Sequence, residues 1–414
     1  MSSQSALWRD RDFVRLWLAQ SVSAFGARIT REGLPITAIL TLGATAPQVG
    51  LLSALSYGPA LLVGLAAGGF VDCSKRRGLM MGADLLRALV LITIPIAALL
   101  HMLTLPQLYV AAALVGAASV LFEIADHAYL PGLVSRDELV RANSSLSATE
   151  SVAEIAGPAL AGTLFQILAA PIAIAANAVT YLISALFLAD IRKPEATPAP
   201  EPQARWTDDV VLGFSAAWNH PLVRPLLLMT AAQSLAGGIF GATYMLFCLK
   251  VVGLGPATLG IAIACGGVGA LVGSVLAGWL SKRFGVGPSI LGAQAMFGVV
   301  GVLIAITPAE PRSGLAMLMV SQFLGDAVAV AAMVLGGSLR QTVLPPEVLG
   351  RVGATFKAAG GGFAILGALL GGVLGETLGI RGAIIAGAVG LSVCPLFGLP
   401  SPLRRLREMP TGPG

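Results

Sequence analysis

Twelve apolar stretches follow one another between residues 13 and 400, parted by short polar turns. They lie at roughly 13–41, 47–71, 78–102, 105–128, 138–169, 171–189, 222–250, 256–281, 288–307, 313–335, 351–378 and 380–400. About twenty apolar residues in a helix span the hydrocarbon core of a bilayer, so each stretch has the length of a membrane crossing. Only 11% of the residues are charged and 56% are hydrophobic, whereas a soluble domain is about a quarter charged. Such a chain cannot cover itself with polar groups in water. The sequence therefore predicts an all-α polytopic membrane protein with twelve transmembrane helices. Its 51 glycines suit close helix–helix contact in lipid.

The basic residues set the expected orientation. With both termini in the cytoplasm, the cytoplasmic segments hold 18 of the 26 Lys and Arg residues, and the external loops only Lys250, Arg312 and Arg381. Lys and Arg concentrate on the cytoplasmic side of membrane proteins. Arg28, Arg31 and Lys357 fall inside predicted helices. The net charge of +5 belongs to these loops and implies no nucleic-acid partner.

Residues 190–209, DIRKPEATPAPEPQARWTDD, break the apolar pattern. Prolines, alanines and charges alternate there, as in an extended linker open to protease at residues 194–203. Residues 206–220 could follow as an amphipathic helix on the membrane surface. The expected organisation is a six-helix half at 1–189, a cytoplasmic linker at 190–221 and a second six-helix half at 222–414. The halves look related: Gly69-Phe70-Val71-Asp72 matches Gly278-Trp279-Leu280-Ser281, and Leu139-x-Arg141 recurs as Leu349-x-Arg351, both about 210 residues later.

The turn at 64–78, GLAAGGFVDCSKRRG, joins two membrane-length helices as a hairpin. Asp72 and the bases Lys75, Arg76 and Arg77 resemble the signature between the second and third helices of the major facilitator superfamily, although Cys73 and Ser74 depart from it. Trp8 through Gln20, Asp84-Leu85-Leu86-Arg87-Ala88, Leu130-Pro131-Gly132, Arg141-Ala142-Asn143, Gly157-Pro158 and Gly350-Arg351-Val352 together resemble the branch of siderophore exporters and macrolide efflux proteins. That resemblance implies two parallel-related halves around a substrate cavity. It also implies export of small amphipathic compounds across the cytoplasmic membrane, by proton antiport with alternating access; the protein is expected to function as a monomer. The branch often has an acid just after the glycine of its first helix; here Ala27 and Arg28 follow Gly26.

Charges inside membrane helices are costly and usually face a cavity or a partner. Arg28, Arg31 and Glu32 share one face of the first helix, and Glu150 and Glu154 share one of the fifth at similar depth. These five and Asp326 in the tenth helix are the expected substrate or proton-coupling groups, with Lys357 either the counter-charge to Asp326 or a snorkelling side chain. Asp72, Lys75, Arg76, Arg77, Asp84 and Arg87 are expected to form a cytoplasmic gate. Gly157 and Pro158 are expected to bend the fifth helix. Glu123, Asp126 and His127 read as gate or surface groups rather than a metal site. No nucleophile–base pair, phosphate-cradling loop or metal spacing is apparent, so neither an enzyme nor a resident cofactor is expected. Two other readings stay open: a lipid or lysolipid flippase, and a transporter-shaped sensor or assembly subunit.

Overall fold

Every expected crossing is a helix in the computed structural model, which describes residues 7–72, 74–195 and 206–410. The first six are α1 (Arg11–Leu40), α2 (Ala46–Asp72), α3 (Arg76–Leu99), α4 (Leu105–Leu133), α5 (Leu139–Leu168) and α6 (Ala170–Asp190). A shorter α7 (Trp206–Asn219) precedes α8 (Val223–Leu246), α9 (Pro256–Phe284), α10 (Val286–Ala305), α11 (Pro311–Val343), α12 (Pro346–Thr377) and α13 (Gly379–Val393). No strand occurs among the described residues. Eleven of the helices are long and apolar enough to cross a membrane by length and composition. The exceptions are the short α7 and α1, which Arg15, Gln20, Arg28, Arg31 and Glu32 interrupt.

One junction departs from the apolar pattern. Ser338, Arg340 and Gln341 end the apolar run, yet α11 continues to Val343. Leu344 closes it by donating to the Arg340 carbonyl, and α12 starts at Pro346 rather than at 351. Proline suits that position because a first-turn residue needs no helical N–H partner.

The chain divides into two compact units. Unit 1 comprises Met1–Ala44 and Leu55–Pro202, and unit 2 comprises Thr45–Ala54 and Gln203–Gly414. In unit 1, α1 packs on α4, α5 and α6, and α3 packs on α4 and α6. In unit 2, α8 packs on α12 and α13, α10 on α11 and α13, and α9 on α11. The start of α2 belongs to unit 2 because its small residues admit α12: a methyl group on Gly50 would lie 2.5 Å from the Ala368 carbonyl.

The repeat keeps one register at these core positions. Phe13, Leu16, Met80, Ala125, Leu133 and Ala142 lie in the core of unit 1. The residues 210 positions later in the chain are Val223, Leu226, Ile290, Leu335, Val343 and Val352, and all six lie in the core of unit 2. Both cores sit at the ends of the bundles that carry most of the bases, hereafter the basic ends.

A strap closes each basic end. In unit 1 the segment after α6 crosses to α3, where the Glu195 carboxylate accepts from the Arg76 and Arg77 N–H groups at 2.6 and 3.2 Å. Arg77 donates to the Ile191 carbonyl, and the Lys193 amine to the Leu133 carbonyl at 2.7 Å. Asp12 accepts from the Arg192 and Lys193 N–H groups, while Arg15 pairs with Asp190 at 2.5 Å. In unit 2 the tail after α13 does the same for α10: Val286 and Gly287 N–H donate to the carbonyls of Arg407 and Leu406. A helix start leaves N–H groups without partners, and both straps supply acceptors.

The amphipathic segment is helical and does not lie free. Gly213 of α7 abuts α12, where a methyl group would meet the Arg351 carbonyl at 2.5 Å. Val211, Phe214 and Trp218 stay exposed, and Arg224 lies 4.4 Å over the Trp218 ring.

Candidate functional site

The structure brings together four of the five charges expected on α1 and α5. Arg28 pairs with Glu154 at 2.5 Å. Arg31 reaches the other Glu154 oxygen at 3.1 Å and Glu32 at 3.1 Å. Glu32 is buried, whereas the side chains of Arg31 and Glu154 are 45% and 44% exposed. The cluster is therefore an interhelical brace with one wet side. Glu150 stands one turn away and turns towards a cavity.

Gly157 serves this brace by clearance. The Arg28 stem crosses α5 there, and a methyl group on Gly157 would lie 2.5 Å from its Cγ. Pro158 sits inside the continuous helix α5 and Pro35 inside α1. Proline has no N–H for the carbonyl four residues back, which means Glu154 in one helix and Arg31 in the other. Each backbone thus loses a helical bond at the residue whose side chain joins the brace.

The cavity beside Glu150 has a volume of about 280 Å³ and lies between α1, α4 and α5. Glu123, Asp126, His127 and Glu150 line it. Gln20 of α1 donates to Asp126, and Trp17 donates to Thr149 at 3.0 Å across the neighbouring crossing. Reading α4 alone placed Glu123, Asp126 and His127 as gate or surface groups; the cavity wall is where they are found. No cluster of three or more metal-ligating side chains occurs among the described residues.

Asp84 and Arg87 form an ion pair inside the packing of unit 1, 0% and 3% exposed. The Arg87 guanidinium lies 4.1 Å from the Tyr181 ring and 4.7 Å from the Phe122 ring, and donates to Ser119 at 3.3 Å. Its described partners are on α4 and α6, so the pair ties three helices together. Arg76 and Arg77 join the strap through Glu195, a partner that sequence spacing did not suggest. Lys75 is the exposed residue that precedes α3. Asp72 ends α2; its side chain, Cys73 and linker residues 196–205 lie outside the described residues.

In unit 2, Asp326 rests on Gly266, where an added methyl group would overlap its carboxylate. Its counterpart 210 residues earlier is Gly116, and that of Gly266 is Ser56. A cavity of about 840 Å³ lies between α8, α10, α11 and α12. Arg340 and Lys357 line it, and no acid does so among the described residues.

The two cavities are equivalent by the repeat. Gln20, Ser23, Asp126, Leu130, Leu146 and Ser147 line the first; Thr230, Gln233, Gly336, Arg340, Phe356 and Lys357, each 210 positions on, line the second. The brace is not repeated. Arg28 and Glu154 correspond to Gly238 and Ala364, where a methyl group on Gly238 would strike the Ala364 carbonyl.

The model of the transmembrane secretion effector family matches residues 2–412. The chain belongs to that family of major facilitator transporters. This secretion effector is 26% identical over 409 residues to an enterobactin exporter of Citrobacter koseri, covering 97% of this chain and 94% of the relative. It is 24% identical over 393 residues to an uncharacterized transporter of Bacillus subtilis, covering 91% and 89%. Among solved structures, a bacterial homologue of the iron transporter ferroportin in an inward-facing state superposes with a TM-score of 0.76 at 15% identity, covering 94% of this chain and 98% of that one. The nucleoside transporter NupG superposes at 0.74 and 13% identity, with 94% and 98% covered. These superpositions give the fold. The effector is thus a multi-pass membrane transporter, not an enzyme.

Proposed function

We propose that this secretion effector exports small amphipathic compounds across the cytoplasmic membrane by proton antiport, as a monomer with both termini in the cytoplasm. The supporting observation is the acidic cavity of unit 1. Its volume is about 280 Å³, below the usual span of a drug-sized site, about 300–1,000 Å³. A space of that size suits water and a proton better than a large solute. Glu123, Asp126 and Glu150 bring three carboxylates to its wall. The brace holds α1 against α5 beside these acids, so a change at this cavity wall acts next to the Arg28–Glu154 pair. On this reading the basic turn and the strap at 190–195 form the inner gate, and Asp326 contributes to solute contact.

The test compares cells with and without the protein, their medium profiled by mass spectrometry. Compounds enriched outside are then followed in proteoliposomes with an imposed pH gradient. Asp126→Asn and Glu150→Gln are expected to keep normal protein levels and to lose gradient-driven movement. Undiminished gradient dependence in both variants would sink antiport through this cavity.

A further inference from the structure

Aligned at the 210-residue offset, the two cavities carry opposite charge. Where unit 1 has Asp126, unit 2 has Gly336; where unit 1 has Leu130 and Ser147, unit 2 has Arg340 and Lys357. The change is therefore confined to side chains on an otherwise shared frame, and it converts an acidic wall to a basic one.

Arg340 is built in rather than draped over the surface. It is half-buried, and its guanidinium lies 4.0 Å from the Phe356 ring centroid. Stacking occupies the flat face of the group and leaves its edge, with the forked N–H donors, for a planar oxyanion. No carboxylate forms an ion pair with Arg340 among the described residues. Deeper in the cavity the Gln294 amide donates to the Gln233 carbonyl at 2.8 Å. That bond uses one lone pair of the Gln233 carbonyl and leaves the Gln233 NH₂ as a donor and the Gln294 carbonyl as an acceptor. Arg340 and the Gln233 amide thus supply donors to the polar wall, and at about 840 Å³ the space accommodates a whole drug-sized molecule.

We propose that the cavity of unit 2 binds the oxyanion of an amphipathic organic acid. The carboxylate or phosphate lies at the Arg340 edge near Lys357, and the apolar body lies along the alanine, valine and methionine wall. The proposal names a substrate class for the export reading and rests on it, but it is testable without transport.

Purified full-length protein in phosphatidylcholine nanodiscs is titrated with 1-naphthoate, 1-naphthyl phosphate and neutral 1-naphthamide by calorimetry. Charge-assisted hydrogen bonds predict that at least one anion binds about tenfold tighter than the amide. Which anion is preferred tells carboxylate from phosphate. Arg340→Gln is expected to abolish the preference and Arg340→Lys to retain part of it, since lysine keeps the charge and loses the fork. Equal affinity of all three probes for the unmodified protein overturns the proposal, and that comparison needs no variant to fold. A preference that survives in monodisperse Arg340→Gln protein also overturns it. Discs containing phosphatidylglycerol distinguish the source of the oxyanion: Arg340-dependent displacement of naphthoate points to a lipid headgroup, and no displacement to a soluble acid. Anion preference without gradient-driven export would refute antiport and leave this site standing; export without anion preference would do the reverse.

Discussion

Gly157→Ala should break the brace between α1 and α5 without touching a charge. The new methyl group would lie 2.5 Å from Cγ and 2.8 Å from Cβ of Arg28, well inside van der Waals contact. Those are stem atoms, so they cannot move aside without carrying the guanidinium off Glu154. The Arg28 side chain is 13% exposed and that of Glu154 is 44% exposed. An exposed ion pair contributes about 0–1 kcal/mol, and breaking a buried one costs about 3–5 kcal/mol. A pair with one buried partner falls between, at about 2 kcal/mol. Overpacking adds about 1 kcal/mol more for Gly157→Ala. Glu154→Gln keeps the shape, removes the charge, and should cost about 2 kcal/mol by itself. Because both changes act on one pair, the double variant should be less destabilised than the sum of the singles by about 1–2 kcal/mol, within the range for contacting residues. The four proteins are compared by reversible unfolding in mixed micelles. Additivity to within about 0.5 kcal/mol would refute the reasoning, because Arg28 would then have accommodated the methyl group and kept its partner.

The strap of unit 1 gives a second expectation: Glu195→Ala removes the acceptor at the start of α3 and should cost about 1 kcal/mol, with faster hydrogen exchange at the Arg76 and Arg77 amides and no change at Val286 and Gly287. At the other end of unit 2, Glu310 caps α11. The Ser313 hydroxyl, followed by the N–H groups of Ser313 and Arg312, lowers its pKa. A depressed carboxylate stabilises fully above its unfolded pKa and loses that contribution as pH falls through its folded value. Acid titration of the melting temperature should therefore fall less steeply in Glu310→Gln than in the unmodified protein.

The crossings were legible because a bilayer imposes one length on every span. Charge spacing along single helices was legible for the same local reason: Arg28, Arg31 and Glu32 share a face by helical period alone. What a face meets depends on the rotation of the neighbouring helix, which one sequence does not specify. Glu154 therefore appeared as a partner of the first-helix arginines, while Glu150 proved to face elsewhere. Asp126 looked peripheral because it lies near the end of an apolar run; only the side chain of Gln20, more than a hundred residues earlier, marks it as part of a wall. Glu195 was hidden in a proline-rich stretch that reads as linker. Arg340 lies beyond 335, the expected end of the tenth crossing, and so reads as a loop base. The repeat offset held the missing signal. Laid 210 residues apart, Leu130 and Arg340 occupy one place in the frame, and an arginine in place of a leucine marks that position for attention.

The unequal brace also separates the two bundles by where water can go. At the level where α8 meets α12, Gly238 and Ala364 bring backbone against backbone, a seal too tight for even one methyl group. At the matching level α1 and α5 are held apart by ionised side chains, two of them nearly half exposed. Ionised groups surrender their hydration only at high cost, so this crossing stays wet while its counterpart stays dry. The first bundle thus carries solvated charge at that depth with the brace intact. The second has two backbones in contact there and leaves no room for a water molecule between them.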